Sequence, residues 1–486
     1  MKPVRILIEQ IEDSCLSIHE IKYTFQVLLS IIGLPCHFTQ DQKENIDIYY
    51  GRVYPTRCKL FIERAKVKRE NIRAPIKAIK EKGYIFLVFD KEQDKEEILR
   101  QTDTDSFVGN DIILSSYYLL SGWNERFISR DWRDRHLLQE SFFYQNQLLH
   151  DPLVNHYVEI LRSFFAPSYD PLPMWPGNKR YAVALSHDVD YPEMIRWIEG
   201  LRYLGIYKSR SNLSKVMDIL KGRESFWRFE DWVHLEKRYG MKSAIYFCGR
   251  KGNLFHYFLR GPDPFYDIRR DKYKRLFNFL VQNGFEVGLH SSYWAYRSVD
   301  QFSDEKKRVE TVLGEPVLGN RHHYWHLNPD NPTETARMHH QIGLLYDTSV
   351  CFGLRAGFRF GICSPFHLYD PVDKQAIPTL QLPTCLMDDH LFGYFKYSYF
   401  DRPQFEMDAL IESSRKYGGV LMVDYHIRVF NSTFFPRWIE SYEYLLNRIT
   451  ERKDYYSDTP LHIAKYWRER EERILRESKD EVGPFN

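Results

Sequence analysis

The chain has 486 residues, more than one ordinary hydrophobic core accommodates, so two folding units are expected. Its 68 Lys and Arg nearly balance 66 Asp and Glu, and the net charge of +2 offers no concentrated basic field of the kind nucleic-acid binders carry. The seven cysteines are scattered without a C-x-x-C pair, which argues against a disulfide framework or a cysteine zinc site and for reduced thiols in the cytoplasm.

In chain order, the opening MKPVRILIEQ lacks the apolar h-region of a signal peptide and contains a strand, residues 4–8. Residues 18–32 have helical apolar spacing, with Gly33 as the stop. Residues 46–50 are a strand, and residues 84–89, apolar throughout, are expected as a buried parallel strand. These segments form a smaller α/β domain, residues 1–125, and the basic run at residues 66–69 is expected on a solvated face. The domain has no G-x-G-x-x-G nucleotide fingerprint. It is expected to pack on the second unit and shape a substrate groove, or to serve oligomerisation. Residues 112–165 read as helical. Residues 126–177 are a helical connection and linker, which ends in APSYDPLPMWPGNK, where four prolines and a glycine preclude a helix.

Beyond the linker, apolar runs repeatedly end in an ionisable residue: YAVALS before His187 and Asp188, SAIYF before Cys248, FEVGL before His290, EPVLGN before Arg321, IGLLY before Asp347, TLQLPTCLM before Asp388, and GGVLMVDY before His426. Seven strand-like runs with helices between them predict an irregular (β/α)7-type barrel over residues 178–470, whose chemistry belongs at the carboxyl ends of the strands. Residues 471–486 are a charged tail, and Trp467–Lys479 reads as a solvated helix in preference to a coiled-coil strand. No run approaches the roughly 20 apolar residues of a membrane span.

In SHDVD, Asp188 and Asp190 lie two apart at a strand end. They share a face if the strand persists, so one carboxylate can hold a metal while the other acts as base; the alternative is an Asx-turn or helix cap before Tyr191 and Pro192. Neutral imidazole from His290, combined with carboxylate, suits Zn²⁺ and comparable divalent ions.

The order SHDVD, GFEVGLHSS, GNRHHYW and a late strand with His426 resembles the polysaccharide deacetylase superfamily (NodB-homology, carbohydrate esterase family 4). It is most similar to a bacterial branch that writes its first motif H-D-V-D after an N-terminal α/β region, with DIILSSYYLLSGWNER and LLHDPLVNHYV as further points of likeness. The resemblance implies Asp188 as catalytic base, Asp190 as metal-binding aspartate, His290 as the first histidine of the metal motif, Arg321 as the arginine orienting the base, and His426 as late general acid. The second histidine of the metal motif is replaced by Trp294, which cannot ligate. His323 is the first candidate for the missing ligand and His187 the second.

The chemistry that follows is a divalent metal, Zn²⁺ in the first instance, polarising an acetyl carbonyl and acidifying water, with Asp188 taking the proton and His426 protonating the leaving group. The expected activity is hydrolytic removal of acetyl groups, N-acetyl before O-acetyl, from a carbohydrate or glycan precursor in the cytoplasm. No nucleic-acid partner is expected, and the oligomeric state is open. Tyr293, Trp294, Tyr296, Tyr324 and Trp325 are candidate sugar platforms. Asp388 and Asp389 either position His426 or bind sugar hydroxyls, and Asp347 is expected to be structural. Arg355 and Arg359 either meet an anionic substrate group or lie in a solvated turn. The alternative functions are a catalytically inactive glycan-binding protein of the same fold in surface-polysaccharide biosynthesis, or a scaffold in such an assembly.

Overall fold

A computed structural model describes residues 2–11, 14–41, 45–55, 58–93, 97–101, 106–131, 134–206, 213–259, 262–392 and 401–479. The last residues of the charged tail therefore lie outside the described part of the chain.

The first half is built on a mainly parallel sheet. Its strands are β1 (Val4–Ile8), β2 (Cys36–Thr39), β3 (Ile48–Gly51), β4 (Leu60–Glu63), β7 (Leu99–Gln101) and β8 (Ser106–Val108), after a separate hairpin of β5 (Lys77–Glu81) and β6 (Tyr84–Val88) is set aside. Their order is β2-β1-β3-β4-β8-β7, antiparallel only between β7 and β8. The helix Ile18–Ile32 falls where its spacing predicts. Ser17 and Glu20 form a reciprocal capping box at its start, and Gly33, at φ 99°, supplies the left-handed cap.

β6 departs from expectation, because it pairs antiparallel with β5 and joins no parallel ladder. Its apolar run comes from enclosure: the Ile85 N–H donates to His156 Nδ1, the Leu87 N–H to Tyr157 Oη, and Asn110 Nδ2 donates to the Leu87 carbonyl. Burial on both faces produces the same sequence pattern for either strand direction.

The second half is a curled α/β sheet. Its parallel strands are β9 (Tyr181–Val189), β10 (Ser243–Cys248), β11 (Glu286–Ser291), β12 (Gly319–His322), β13 (Tyr346–Asp347), β16 (Thr384–Met387) and β17 (Val420–Asp424). The antiparallel partners β14 (Phe366–Asp370) and β15 (Gln375–Gln381) and the short β18 (Tyr455–Ser457), which pairs with β9, complete it. The order is β14-β15-β13-β12-β11-β10-β9-β17-β16. No ladder joins β16 to β13; the Thr384 N–H to the Val350 carbonyl and Thr384 Oγ1 to the Thr348 carbonyl span that side. Inside the curl, Gly288 and Gly319 leave room for rings: a Cβ on either would overlap Tyr246 or Tyr346, whose hydroxyls bond each other at 2.9 Å.

The halves share one apolar core. A single buried cluster contains Ile6 and Phe25 of the first sheet, Trp175 of the proline-rich stretch, and Ala182, Met422 and Trp467 of the second half. The expected linker is non-helical but embedded, since Trp175 is fully buried and donates to the Gly418 carbonyl at 2.7 Å. The C-terminal helix Pro460–Lys479 is likewise not simply solvated. Ile463, Ala464 and Trp467 are buried, and Arg470 donates to the carbonyls of Ser30, Ile31, Leu172 and Pro173. Burial lowers the Arg470 pKa to about 10, yet the guanidinium satisfies the end of the helix Ile18–Ile32, where backbone carbonyls carry partial negative charge. Replacing Arg470 with Ala strips those acceptors of a charged donor and is expected to destabilise the protein by about 2–4 kcal/mol, read as a lowered urea midpoint at unchanged m-value.

Candidate metal-hydrolase site

The ionisable residues collect at the carboxyl ends of the parallel strands, where the curled sheet brings its loops together. Asp188 lies near the end of β9 and Asp190 just past it; His290 lies near the end of β11, Arg321 on β12, His323 just after β12, Asp388 just after β16, and Asp424 and His426 at and beyond the end of β17. His290 and Arg321 are register partners across β11 and β12.

Arg321 is completely buried. Its Nη1 donates to Asp188 Oδ1 at 2.9 Å and Asp424 Oδ1 at 2.7 Å, its Nη2 to Ser186 Oγ at 2.7 Å, and its Nε to Thr348 Oγ1 at 2.9 Å. Tyr246 and Trp325 face the guanidinium at 4.6 and 4.8 Å. Burial opposes ionisation of Asp188, but Arg321, followed by His290 and His426, holds its carboxyl below the ordinary value. Asp424 behaves oppositely: burial and the adjacent Asp188 charge push it well above, against Arg321. One guanidinium thus serves one ionised carboxylate and one that favours its proton.

Asp190, His290 and His323 form a second grouping. Asp190 Oδ1 stands 3.4 Å from His290 Nε2 and 3.3 Å from His323 Nε2. Among the described residues, Asp190 Oδ1 and His290 Nε2 are buried without a hydrogen-bond partner. Two donors each bound at about 2.1 Å, tetrahedrally, would lie about 3.4 Å apart, so the spacing suits shared coordination. His290 Nδ1 donates to the Arg321 carbonyl at 2.9 Å, which directs Nε2 toward Asp190, and in the neutral ring that nitrogen carries the free lone pair. Burial would raise the Asp190 pKa, but His323 and His426 hold it well below the carboxylate range. The three residues can therefore hold a divalent metal. His323, the first candidate for the place left by Trp294, lies within this grouping.

His426 is the third component. Its Nδ1 lies 2.9 Å from Asp388 Oδ1, its backbone N–H donates to Asp388 Oδ2 at 2.7 Å, and its Nε2 is 3.2 Å from Asp190 Oδ2. Burial disfavours the imidazolium, but Asp388 and Asp190 prevail and raise the pKa well above the usual histidine value. Asp388 is wholly buried and bonds both the ring and the backbone N–H of His426.

A cavity of about 370 Å³ opens onto Asp188, Asp190, His323 and His426, walled by Tyr324, Trp325, Asp389, Arg428 and Arg135. Tyr324 and Trp325 are both at φ 58°, a left-handed conformation that bulky residues rarely adopt, and both line the site. Tyr293 and Trp294 do not line it. Tyr293 packs on His326 at 4.1 Å, and Trp294 lies under the Arg297 guanidinium at 3.6 Å.

His187 is no ligand either, because both ring nitrogens are engaged, with the Tyr425 carbonyl and with Glu236 Oε1, each at 2.7 Å. Arg359 is spoken for by a buried two-pronged bond to Glu125 at 2.8 Å, and Arg355 lies near Tyr144. Asp347 accepts from Asn320 Nδ2 and from Ser349 N–H and Oγ, and with His322 and His339 forms another buried grouping away from the cavity. Sequence reasoning missed Asp424, Arg428 and Arg135. Asp424 ends its apolar run just as Asp188 does, whereas Arg135 reaches the cavity from the first half only through the tertiary fold.

Residues 11–169 match the model of a family of unknown function, DUF7033. Comparison with curated proteins finds no match. Among solved structures, the chain is similar to a protein of Mycobacterium smegmatis named as a polysaccharide deacetylase, with 16% identity, TM-score 0.39, and 60% of this chain and 92% of that one covered. It is similar to PuuE allantoinase, with 16% identity, TM-score 0.40, and coverage of 62% and 95%. It is also similar to a carbohydrate esterase family 4 pseudoenzyme of Bacillus anthracis, with 12% identity, TM-score 0.30, and coverage of 59% and 66%.

Replacing Arg321 with Met would leave two buried carboxylates without their cation and is expected to cost about 3–5 kcal/mol at neutral pH. In the parent, the depressed Asp188 pKa contributes stability that is present above the unfolded carboxylate pKa and lost as pH falls. In the variant both carboxyls shift upward, so the deficit grows with pH above that same unfolded value. Urea titrations at pH 7 and pH 5 should therefore show the smaller deficit at pH 5.

Proposed function

We propose that this chain is a metal-dependent hydrolase that removes acetyl groups from a carbohydrate or glycan precursor, N-acetyl groups in preference. The observation that carries the reading is the convergence of Asp190 Oδ1, His290 Nε2 and His323 Nε2 at ligand spacing beside an Asp188 held ionised by Arg321, with Asp188, Asp190 and His323 lining one cavity and His290 buried behind them. The motif order that resembles the polysaccharide deacetylases supports the same reaction class. The proposal divides the chain into an α/β accessory domain (1–125), a connection (126–177), a deacetylase-like barrel of (β/α)7 type (178–470) and a tail (471–486), acting in the cytoplasm.

A divalent ion, Zn²⁺ in the first instance, held by Asp190, His290 and His323, would supply Lewis acidity and a lowered water pKa. Asp188 accepts the proton of the attacking water, and Arg321 keeps that carboxylate charged and pointed at the cavity. His426, raised and oriented by Asp388, enters protonated and gives its Nε2 proton to the departing amine or hydroxyl. Tyr324 and Trp325 offer the sugar apolar faces, and Arg428 and Asp389 offer it polar groups.

The closest rival, a glycan-binding protein without activity, predicts an incomplete metal site, and the Asp190–His290–His323 set argues against it. The test is acetate release across acetylated saccharides and nucleotide-linked sugars with several divalent metals. Asp188→Asn is expected to reduce the rate by roughly 10²-fold or more with metal retained, whereas His290→Ala or His323→Ala is expected to lose about one equivalent of bound metal. Protein that takes up no metal under any condition, or acetate release that persists in Asp188→Asn, refutes the scheme.

The pH profile gives a second test. Activity should fall at acid pH as Asp188 protonates and at alkaline pH as His426 loses its proton. Asp388→Asn removes the first of the charges that raise His426, so its alkaline limb is expected to move to lower pH while the acid limb stays in place.

A further inference from the structure

Beside the cavity, three helices show apolar side chains to solvent that the fold does not use. On the helix Arg196–Ile206, Ile198 and Tyr203 are buried, yet Trp197 and Leu201, on the outer side, are exposed. On the helix Leu213–Leu220, Val216 and Ile219 face inward while Leu213, Met217 and Leu220 form an exposed stripe. On the helix Leu254–Leu259, Tyr257 is buried and Leu254, Phe255 and Phe258 are exposed. Eight of the seventeen exposed large hydrophobics found among the described residues fall between residues 197 and 258. A helix apolar on both faces is not one built to meet water on one of them.

The three faces join. Trp197, Leu254, Phe255 and Phe258 line one shallow apolar groove of about 300 Å³. Leu220 lies against Gly200, where an added Cβ would meet its side chain at 3.8 Å. Arg202 donates to the Phe258 carbonyl at 2.7 Å, and the Ile195 N–H to Tyr257 Oη at 2.9 Å, which fastens the third helix to the first. Tyr191, which lines the cavity, packs edge-on against Tyr257 at 5.5 Å, so the apolar face adjoins the site.

Charge identifies the occupant. Residues 196–223 contain seven Lys or Arg and two Asp or Glu, a net +5 in a chain whose total is +2. Of those two acids, Glu199 is buried against Arg202 and Asp218 is paired with Arg223. Arg196 and Lys215 on these helices, and Lys221 directly after the second, are exposed. Exposed Trp, Phe and Leu on helices that also carry exposed cations is the composition of helices that lie in a bilayer interface.

We propose that this face docks the protein on an anionic lipid bilayer, with Trp197, Phe255 and Phe258 entering the headgroup region and the exposed lysines and arginines meeting lipid phosphates. No helix among the described residues is long and apolar enough to cross a membrane, so the attachment is peripheral. The corollary, that the acetylated saccharide reaches the cavity from the membrane surface, rests on the hydrolase reading; docking itself does not.

The test is co-sedimentation of the full chain with vesicles of phosphatidylcholine alone or containing about one-third phosphatidylglycerol. Binding is expected to be at least about ten-fold stronger to the anionic vesicles and to weaken in high salt, where surface charges are screened. Trp197→Ser combined with Phe255→Ser and Phe258→Ser should abolish it. Lys215→Glu with Lys221→Glu should remove the anionic preference. These side chains are exposed, so melting temperature and metal content should be unchanged in both variants, which separates lost docking from lost folding. Because vesicle binding is scored without turnover, it fails independently of the proposed reaction. Absence of binding to either vesicle overturns the proposal, as does equal binding to both. So does light scattering that shows a dimer dissolved by the triple substitution, which would make a second copy the occupant.

Discussion

Everything at the site depends on one buried cation. Arg321 enters on β12 and reaches β9 through Asp188 and Ser186, β17 through Asp424, and the segment after β13 through Thr348. Those strands lie on different parts of the curled sheet, and the side β16 and β13 would share has no ladder. The guanidinium's four bonds therefore tie the β12–β13 side of the sheet directly to the β9–β17 side, which backbone pairing joins only through β10 and β11. Burial of a charge is tolerable only when its donors are nearly all satisfied, and here two carboxylates, two hydroxyls and two aromatic faces surround it.

The same residue acts on the metal cluster by a different route. Its carbonyl accepts from His290 Nδ1, which fixes the ring orientation and directs Nε2 toward Asp190. Asp188 and His290 are thereby held by one residue, Asp188 through the side chain and His290 through the backbone. On the opposite wall Asp388 does the equivalent for His426, bonding both its ring and its backbone N–H. Asp188, His290 and His426 are thus each held by a partner behind them, while Asp190 Oδ1 and His290 Nε2 are left open toward each other. The pairing of Asp424 with Asp188 on one Arg321 nitrogen follows the same logic, since a proton on Asp424 leaves a single negative charge opposite a single positive one.

Much of this was legible in the residues. Asp188, Asp190, His290, Arg321 and His426 each stop an apolar run or follow its end closely, and a parallel sheet sends such ends to one face. His323 could be singled out because the family resemblance leaves a ligand place empty at Trp294 and GNRHHYW supplies a neighbouring imidazole. What failed did so for physical reasons. Asp424 carries the same strand-end signal as Asp188, but the nearby His426 drew the assignment. His187 sits one residue from Asp188, so strand alternation turns it to the other side of β9, where Glu236 and the Tyr425 carbonyl hold it. Trp294 and Tyr293 lie close to His290 in sequence, but the turn after β11 carries their rings away from the cavity. β6 reads as parallel because periodicity reports burial and not strand direction. Arg359 looked available because its partner, Glu125, lies more than two hundred residues away.

That last pairing bears on why the first half of the chain accompanies the second. Glu125 and Arg359 form a buried two-pronged ion pair between them, and Arg359 Nη1 also donates to the Trp325 and Cys351 carbonyls at 3.3 Å. Trp325 is one of the two strained aromatic residues of the cavity wall and one of the two rings on Arg321. A line of direct contacts thus runs from Glu125 through Arg359 and Trp325 to Arg321, which holds Asp188. Arg135, held by Asp131, reaches the same cavity from the same stretch of chain. With Trp175 and Trp467 closing a common apolar core behind the sheet, removal of residues 1–177 would uncover that core. It would also deprive the strained turn at residues 324–325 of its outer support. Residues 1–177 are therefore part of the site's construction, and their own fold need carry no separate chemistry to be required.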